Sequence, residues 1–404
     1  MKNILKTIML GGVAMMSLLF TACDQPNVND KDSESIPSIK YIRPTDPATQ
    51  DQLLTSAAMG DVIAIIGEGL EGVVSLKFND IEAELNPALI TANSIVCSVP
   101  AVMPTEITNT ITLTTGVGNV VVYDFAVEIP KPFITGVNCE WAAPGKQMVL
   151  TGQYFYPFTD TNTFNVTFPG GVAAEVVEFT ETSLTVTVPE CFMEGAISVE
   201  GEYGVGLTKF NYRDSKGLFI DFEDLWWDGW SYSGAWTRTD SNSLSGNYVE
   251  FNTPASDWNW NTNGGALFFN NVQPDGSRKV DLIPEGDNPT DYTLKFEVKI
   301  NTWQDLHLSM WFSGVYNEFS IDGVQAQYHW APFTESVTAT EDWITVSIPL
   351  SAFKTNKEEN ANDRVVLPGD MGNFCIFFFG GVKDAANAGT PISLYMDNLR
   401  LSKN

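Results

Sequence analysis

The feature that most constrains the fold is a duplicated pattern of short runs that starts at a glycine and ends at Val-Pro. The first copy runs from Gly60 to Pro100 and the second from Gly145 to Pro189. In both copies apolar and polar residues alternate with period two, as in SIVCSVP and SLTVTVP, and Gly, Pro, Asn or Asp separates the runs. Alternation of this kind, bounded by turn residues, predicts β-strands. We therefore expect an all-β chain.

The distance between the two copies sets the size of the folding unit. Their starts lie 85 residues apart and their ends 89, so the second copy carries a small insertion, which we place around Tyr154 to Thr163. Units of this length are typical of an immunoglobulin-like β-sandwich. We predict two such domains, over residues 37–129 and 130–214.

Both copies resemble the IPT/TIG family of Ig-like domains, whose units show a G-x-x-F turn and an S-x-x-V-P strand. The second copy has the turn as G-Q-Y-F, and both copies end in the strand motif. The resemblance covers residues 37–214. It implies spacer domains without a binding site of their own.

The composition changes near Ser215. Of the eleven tryptophans only Trp141 precedes this point, and the others lie between Trp226 and Trp343. The remaining segment opens with LFIDFED and closes with ISLYMDNLRL, and in β-jelly-roll modules the first and last strands lie together. We predict that residues 215–404 form a larger β-jelly-roll or β-sandwich domain, which binds its ligand without help from the domains before it.

Several motifs of this last domain are similar to those of the C-terminal module of SGBP-B-like surface glycan-binding lipoproteins of gut Bacteroidota. These motifs are WW-x-x-W from Trp226, YHWAPF from Tyr328, EDWITVSIPLSAF from Glu341 and FCIFFFGG from Phe374. The resemblance extends from Cys23 to Asn404. It implies tandem Ig-like spacers, a module that binds xyloglucan, another β-glucan or a β-mannan, and a SusCD-like transporter complex as a neighbour.

Tryptophan clusters supply the candidate binding surface. An indole ring offers a flat apolar face on which the C–H face of a sugar ring can stack. Trp226, Trp227 and Trp230 lie beside Asp and Gly, which predicts a loop. Trp258 and Trp260 are two residues apart, so on a strand both rings share one face.

The predicted glycan-binding residues are therefore Trp226, Trp227, Trp230, Trp258, Trp260 and Trp330. The alternative for any of these rings is burial in the core. We favour the core for Trp303 and Trp343, and both roles stay open for Trp311.

The N-terminus has the features of an export signal. Lys2 and Lys6 precede an apolar run that is too short to span a bilayer as a helix, and LFTAC then resembles a bacterial lipobox. We predict a lipoprotein signal peptide over residues 1–22, a lipid on Cys23 and a flexible tether over residues 23–36. The protein is then anchored in the outer membrane and faces the exterior.

Charge and motifs narrow the class of function. The net charge of −28 argues against nucleic acid as a partner, because nucleic acid requires a basic surface. The sequence has two histidines and none of the common nucleophile, metalloprotease or P-loop motifs. We predict a non-catalytic binding protein. The alternatives are a polysaccharide-cleaving enzyme, which its fifty acidic residues do not exclude, and an adhesin that uses its Ig-like repeats.

Two further expectations concern cysteines and metal. Cys97, Cys139, Cys191 and Cys375 are scattered in or beside apolar runs, which favours buried free thiols. Glu223 and Asp397 lie where jelly-roll modules often bind a structural Ca²⁺ near the joined termini, and carboxylate oxygens are suitable ligands for it.

Overall fold

The computed structural model describes residues 36–224, 237–254, 266–303, 308–316, 326–330, 339–354, 365–378 and 391–404. Regular structure in these ranges consists of β-strands and short 3₁₀ helices, which confirms the all-β prediction. No helix among them is long and apolar enough to cross a membrane. The 3₁₀ helices are Leu70–Gly72, Pro87–Leu89, Pro169–Gly171, Pro289–Asp291, Leu350–Ala352 and Pro368–Asp370.

The chain divides into two compact units, Met1–Ile129 and Pro130–Asn404. In the first unit β3 lies between β1 and β6, a second sheet has the order β5-β4-β7-β8, and β2 pairs with β9 in parallel. Ile65, Leu76 and Leu113 are fully buried in its core. The strands are β1 (Ser38–Pro44), β2 (Ser56–Ala58), β3 (Val62–Glu68), β4 (Val73–Phe78), β5 (Ile81–Glu82), β6 (Ser94–Ser98), β7 (Thr110–Thr115), β8 (Val120–Asp124) and β9 (Ala126–Glu128).

The second copy of the repeat opens the second unit. Its strands follow the order β10-β11-β14-β13-β12-β15-β16, in which β13 pairs through residues 172–174 with β12 and through residues 175–179 with β14. The strands are β10 (Phe133–Val137), β11 (Gln147–Gln153), β12 (Asn165–Phe168), β13 (Val172–Phe179), β14 (Ser183–Thr187), β15 (Ser198–Gly201) and β16 (Gly204–Leu207).

The two copies share their hydrogen bonds as well as their sequence pattern. The opening glycines have left-handed backbones, with φ of 88° at Gly60 and 80° at Gly145. Each donates its N–H to the valine of the closing Val-Pro, over 2.9 Å to Val99 O and 2.8 Å to Val188 O. Glycine fits this position because it adopts positive φ without steric cost. The repeat in the sequence is thus a repeat in the structure.

The rest of the second unit consists of two antiparallel sheets. Sheet A has the order β18-β19-β26-β21-β24, with β17 also paired to β26, and sheet B has the order β20-β25-β22-β23. The pairing of β17 with β26 confirms that the first and last strands lie together. The strands are β17 (Leu218–Ile220), β18 (Thr237–Arg238), β19 (Tyr248–Pro254), β20 (Ala266–Phe269), β21 (Tyr292–Thr302), β22 (Leu308–Ser313), β23 (Ala326–Trp330), β24 (Ile344–Pro349), β25 (Asn373–Phe378) and β26 (Pro391–Lys403).

A continuous core joins the second Ig-like region to the C-terminal sheets. Leu244, Tyr248 and Trp343 pack with buried residues of that region, and the Trp343 and Tyr248 rings meet edge to face at 5.7 Å. Thr345 on β24 donates its backbone N–H to Asn138 O over 2.8 Å. The residues before and after the predicted boundary near residue 215 therefore share one core and are not separated by a linker.

Candidate functional site

The two faces of sheet B differ in what they pack against. Leu308, Met310 and Phe312 point from β22 into the core between sheets A and B. Trp311 lies on the opposite face, in one row with its cross-strand partners Gln327 and Cys375. Alternation along the strands produces this division, since successive side chains point to opposite faces. The second face is also largely covered, because Trp311 and Cys375 are fully buried there and Gln327 is half-buried.

The ends of the strands in sheet B bring several chain segments to one place. Leu308 begins β22 and is paired with Phe378, which ends β25, and with Trp330, which ends β23. Ala266, the first residue of β20, pairs with Phe377. The described residues that flank segments 255–265, 304–307, 331–338 and 379–390 therefore lie at one end of sheet B.

Several strands of sheet A also begin or end beside one another. Pro254 ends β19 opposite Pro391, which begins β26, and Thr302 at the end of β21 pairs with Ser393. The chain thus leaves both sheets in this neighbourhood. We call this end of the two sheets the loop end, and its flanking residues are Pro254, Ala266, Trp303, Leu308, Trp330, Phe378 and Pro391.

Five of the predicted platform residues lie outside the described residues: Trp226, Trp227, Trp230, Trp258 and Trp260. The same holds for Cys23. Trp258 and Trp260 belong to segment 255–265, whose described neighbours on both sides are at the loop end. Their role in binding stays a prediction.

Trp330 is placed differently from the prediction. It is only 7% exposed, and its ring packs against Phe296 at 5.4 Å and Trp303 at 5.6 Å between centroids. The reason is its position on β23, where it shares the core-facing side with Ala326. Trp330 packs in the core next to the loop end, and neither face of its ring is free.

The remaining described tryptophans are buried. Trp303 and Trp343 lie in cores, as predicted, and Trp311, for which both roles were open, is fully buried on the second face of sheet B. Trp343 donates from Nε1 to Asn242 O over 2.7 Å. These rings shape and stabilise the domain.

A buried ionic cluster lies under sheet A, and the sequence pattern contains no signal for it. Arg400 binds Glu297 through two hydrogen bonds of 2.7 and 2.9 Å and Glu140 through one of 2.8 Å. Lys295 completes the cluster, with 2.6 Å from Nζ to Glu140 Oε1. Burial opposes the charge of Arg400, but the carboxylates of Glu297 and Glu140 outweigh it and raise the pKa of this guanidinium.

Asp397 is the strongest candidate for a metal ligand among the described residues. It is fully buried, Oδ1 accepts the backbone N–H of Asn398, and Oδ2 has no hydrogen-bond partner among these residues. Burial raises its pKa well above the usual range, and Glu297, Glu223 and Asp221 raise it further. A cation would relieve this cost.

Glu223 is oriented near the joined strands by the backbone N–H of Asn247, from which its Oε1 accepts a hydrogen bond. However, within the described ranges no group of three His, Cys, Asp or Glu side chains is arranged to hold a metal. A calcium site at Glu223 and Asp397 would need backbone or amide oxygens as further ligands, and it stays a prediction.

The cysteines are structural. Cys97, Cys139, Cys191 and Cys375 are free and buried, as predicted. Burial raises the pKa of the Cys97 thiol to about 12 and that of Cys375 well above its ordinary value. A thiol with a raised pKa is a poor nucleophile at neutral pH, so Cys97 and Cys375 are suited to packing rather than to catalysis.

Comparison with family models assigns both parts of the chain. Residues 212–403 match the family described as the surface glycan-binding protein B xyloglucan binding domain. Residues 53–126 match the IPT/TIG domain. The first family is one of binding domains, which confirms the prediction that this half of the chain is a non-catalytic module.

Two individual proteins are similar to the chain. The crystal structure of the surface glycan-binding protein PbSGBP-B from Prevotella bryantii has a TM-score of 0.72 and 25% identity, and covers 91% of this chain and 99% of that one. An IPT/TIG domain-containing protein from Bacteroides ovatus is 30% identical over 237 residues, which are 54% of this chain and 47% of the relative. The chain thus spans about half the length of that relative.

Proposed function

Because the chain is an SGBP-B-like surface glycan-binding protein with an IPT/TIG domain and a domain of the xyloglucan-binding family, we propose that it captures a β-linked plant polysaccharide without cleaving it. The ligand is xyloglucan, another β-glucan or a β-mannan. The match of residues 212–403 carries this proposal. The proposed site is the loop end.

The physical basis is stacking of sugar rings on tryptophans, of which Trp258 and Trp260 belong to a segment whose flanking residues lie at the loop end. Trp258 and Trp260 are flanked by Asp257, Asn259 and Asn261, whose side chains can hydrogen-bond sugar hydroxyls. One aromatic platform is worth about 1–3 kcal/mol in nucleic-acid complexes, and we use that scale here. Two or three platforms then give affinity on the order of micromolar after the costs of association.

Native electrophoresis tests the proposal. The mature chain is run through gels that contain xyloglucan, mixed-linkage β-glucan, β-mannan or an α-glucan, beside a gel without polysaccharide. We expect retardation by at least one β-linked polymer and none by the α-glucan. A reducing-sugar assay on the same mixtures should detect no cleavage. Migration that is equal in all gels contradicts the proposal.

Localisation forms the second part of the proposal. We propose that Cys23 carries a lipid that anchors the protein in the outer membrane, facing outward, and that the captured glycan passes to a SusCD-like uptake system. The lipobox-like LFTAC supports the anchor. Replacing Cys23 by Ala should release the protein from membranes, and protease added to intact cells should degrade the wild type. Resistance of the wild type until lysis contradicts the outward orientation.

A further inference from the structure

The two Ig-like copies contain the same turn with one difference in residue type. In the first copy Gly69 has a φ of 65°, and in the second Tyr154 has a φ of 62°. The next residue is buried in both copies, and it donates its N–H to a carbonyl of the T-x-x-S turn, over 3.1 Å from Leu70 and 3.2 Å from Phe155. Tyr154 therefore occupies the position that glycine holds in the first copy.

A tyrosine is an unfavourable choice at this position. The left-handed backbone brings a Cβ too close to the following carbonyl, and glycine avoids this cost. Folding does not explain the tyrosine, because Phe155 anchors the turn in the core just as Leu70 does in the first copy. Backbone strain that the fold does not require is typical of functional positions.

A second tyrosine lies in the turn between β15 and β16. Gly201 pairs with Gly204, so these strands are joined by the two-residue loop Glu202-Tyr203. Neither loop residue has a positive φ, so the turn itself neither excludes nor requires a tyrosine. The Tyr203 ring packs against Tyr156 at 5.9 Å with an angle of 82° between the ring planes. In this edge-to-face pair the ring that offers its edge keeps both of its own faces out of the contact.

Tyr154, Tyr156 and Tyr203 lie together, and we call them the tyrosine tip. Tyr156 donates its N–H to Tyr154 O over 3.0 Å, and its ring packs against that of Tyr203. Burial raises the pKa of Tyr156, and Glu181 and the other two tyrosines raise it further. All three rings are partly exposed, and none belongs to the hydrophobic core of the second copy. The core is complete without them.

The tip is held in place by backbone contacts. Glu202 donates its N–H to Tyr156 O over 3.2 Å and accepts the N–H of Thr159 on Oε2 over 2.9 Å. These contacts fix the backbone that carries the rings, so less conformational entropy is lost when a ligand binds. Phenol hydroxyls and the Glu181 carboxylate supply hydrogen-bonding groups around the ring faces.

We propose that the tyrosine tip is a second carbohydrate-contact site, at which an aromatic face stacks on a neutral sugar ring. The class of ligand rests on the proposed function. The site itself rests on Tyr154, Tyr156 and Tyr203. A second contact on the same polymer strengthens its capture, because binding at the first site raises the effective concentration at the second.

The test uses the full mature chain and substitutions that suit the local backbone. Tyr154→Gly restores the residue of the first copy, and Tyr203→Asn introduces a residue that is common in turns. The double variant should therefore keep its melting temperature. Tyr41→Ala is the matched control, since Tyr41 is 37% exposed on β1 of the first unit. Each protein is run in gels containing the polymer that retards the wild type, and titrated by calorimetry with a short oligosaccharide of that polymer.

We expect the double variant to bind the polymer about tenfold more weakly than the wild type, which corresponds to the loss of one stacking contact. The control should bind like the wild type, and the oligosaccharide, which saturates the stronger C-terminal site, should bind all three proteins equally. Equal polymer binding by the double variant and the wild type overturns the tyrosine-tip proposal alone. A wild type that binds no glycan in either assay overturns the proposed function and this inference with it.

Discussion

Arg400 on the last strand and Glu140 in the second Ig-like region are 260 positions apart in the chain and form a buried hydrogen bond of 2.8 Å from Nη2 to Oε2. The side chain of Arg400 is fully buried and that of Glu140 is 6% exposed. Because Glu297 holds the same guanidinium by two further bonds, the Ig-like region and the glycan-binding domain share one ionic cluster.

Removing the cation should destabilise the whole second unit. Arg400→Met leaves Glu297 and Glu140 buried with Lys295 as their remaining cation, and we expect a loss of about 3–5 kcal/mol in the free energy of unfolding. Urea unfolding of residues 130–404 measures it. Lys146→Met, which removes an exposed ion pair with Asp342 in the same fragment, is the control and should cost less than about 1 kcal/mol. Equal effects of both changes contradict the structural role of the cluster.

The smallest stable binding module should be residues 130–404. The sequence alone predicts that residues 215–404 suffice, but this fragment exposes Leu244, Tyr248 and Trp343 and leaves Arg400 without Glu140. Re-exposing each large apolar side chain costs about 1.5–3 kcal/mol. We expect residues 130–404 to bind glycan as the mature chain does and residues 215–404 to melt at a lower temperature. Equal melting temperatures of the two fragments contradict this boundary.

Some tryptophan substitutions should weaken glycan binding and others should lower stability. Replacing Trp227, Trp230, Trp258 or Trp260 by Ala should weaken glycan binding by about 1–3 kcal/mol with little change in melting temperature. Trp303→Ala is the contrasting variant, because Trp303 is 1% exposed in the core, and its loss should cost about 3–5 kcal/mol of stability. Should all four candidate changes unfold the domain and none weaken binding selectively, the platform prediction fails.

Calcium should bind through Asp397 if the metal prediction holds. The buried Oδ2 atom of Asp397 then gains a ligand, and calcium at a hundredfold excess over its Kd adds about 2.7 kcal/mol of stability. Calorimetric melting with calcium or with EDTA measures the difference. Asp397→Asn and Glu223→Gln should each abolish it. An EDTA-insensitive wild type rules the site out.

A pH-dependent contribution to stability is expected from the pair Asp287 and Tyr292. The Tyr292 hydroxyl lowers the pKa of Asp287, and Lys403 adds to this effect. Because the pKa of Asp287 is lower in the folded protein than the unfolded value of 3.8, its carboxylate stabilises the fold at pH values above 3.8. This contribution is lost as the pH falls through the pKa of Asp287 in the folded protein. Tyr292→Phe should therefore be least stable relative to the wild type near neutral pH. A stability difference independent of pH between 2 and 7 would falsify the assignment.

The local features of the fold could be predicted because they depend on neighbours in the sequence. The opening glycines, the alternating strands and the closing Val-Pro of both copies follow from period and turn chemistry alone. The adjacency of the first and last strands also follows from the jelly-roll pattern. The burial of Trp330 has a visible reason: alternation along β23 places it on the side of Ala326 and Tyr328, which pack on the core. In the sequence, its neighbours Pro332 and Phe333 leave both the rim of the site and the core open.

The long-range features could not be predicted from these patterns. Arg400 stands in NLRL and Glu140 beside Trp141, where each has the pattern of an ordinary exposed charge. Only the packing of the two sheets on the Ig-like region buries them. In the same way, alternation gives Trp343, directly before β24, a position opposite the aliphatic face, and its burial depends on Leu244 and Tyr248. Cores built between predicted domains have no local signature.

The loop end has a consequence for how proteins of this design diversify. The strands of sheets A and B contribute the core, whereas residues 255–265, 304–307, 331–338 and 379–390 each adjoin a strand at the loop end, and connections outside strands tolerate changes in length. A family could therefore acquire new sugar preferences by exchanging segments while inheriting an unaltered scaffold. The same separation makes the domain a natural host for grafted loops.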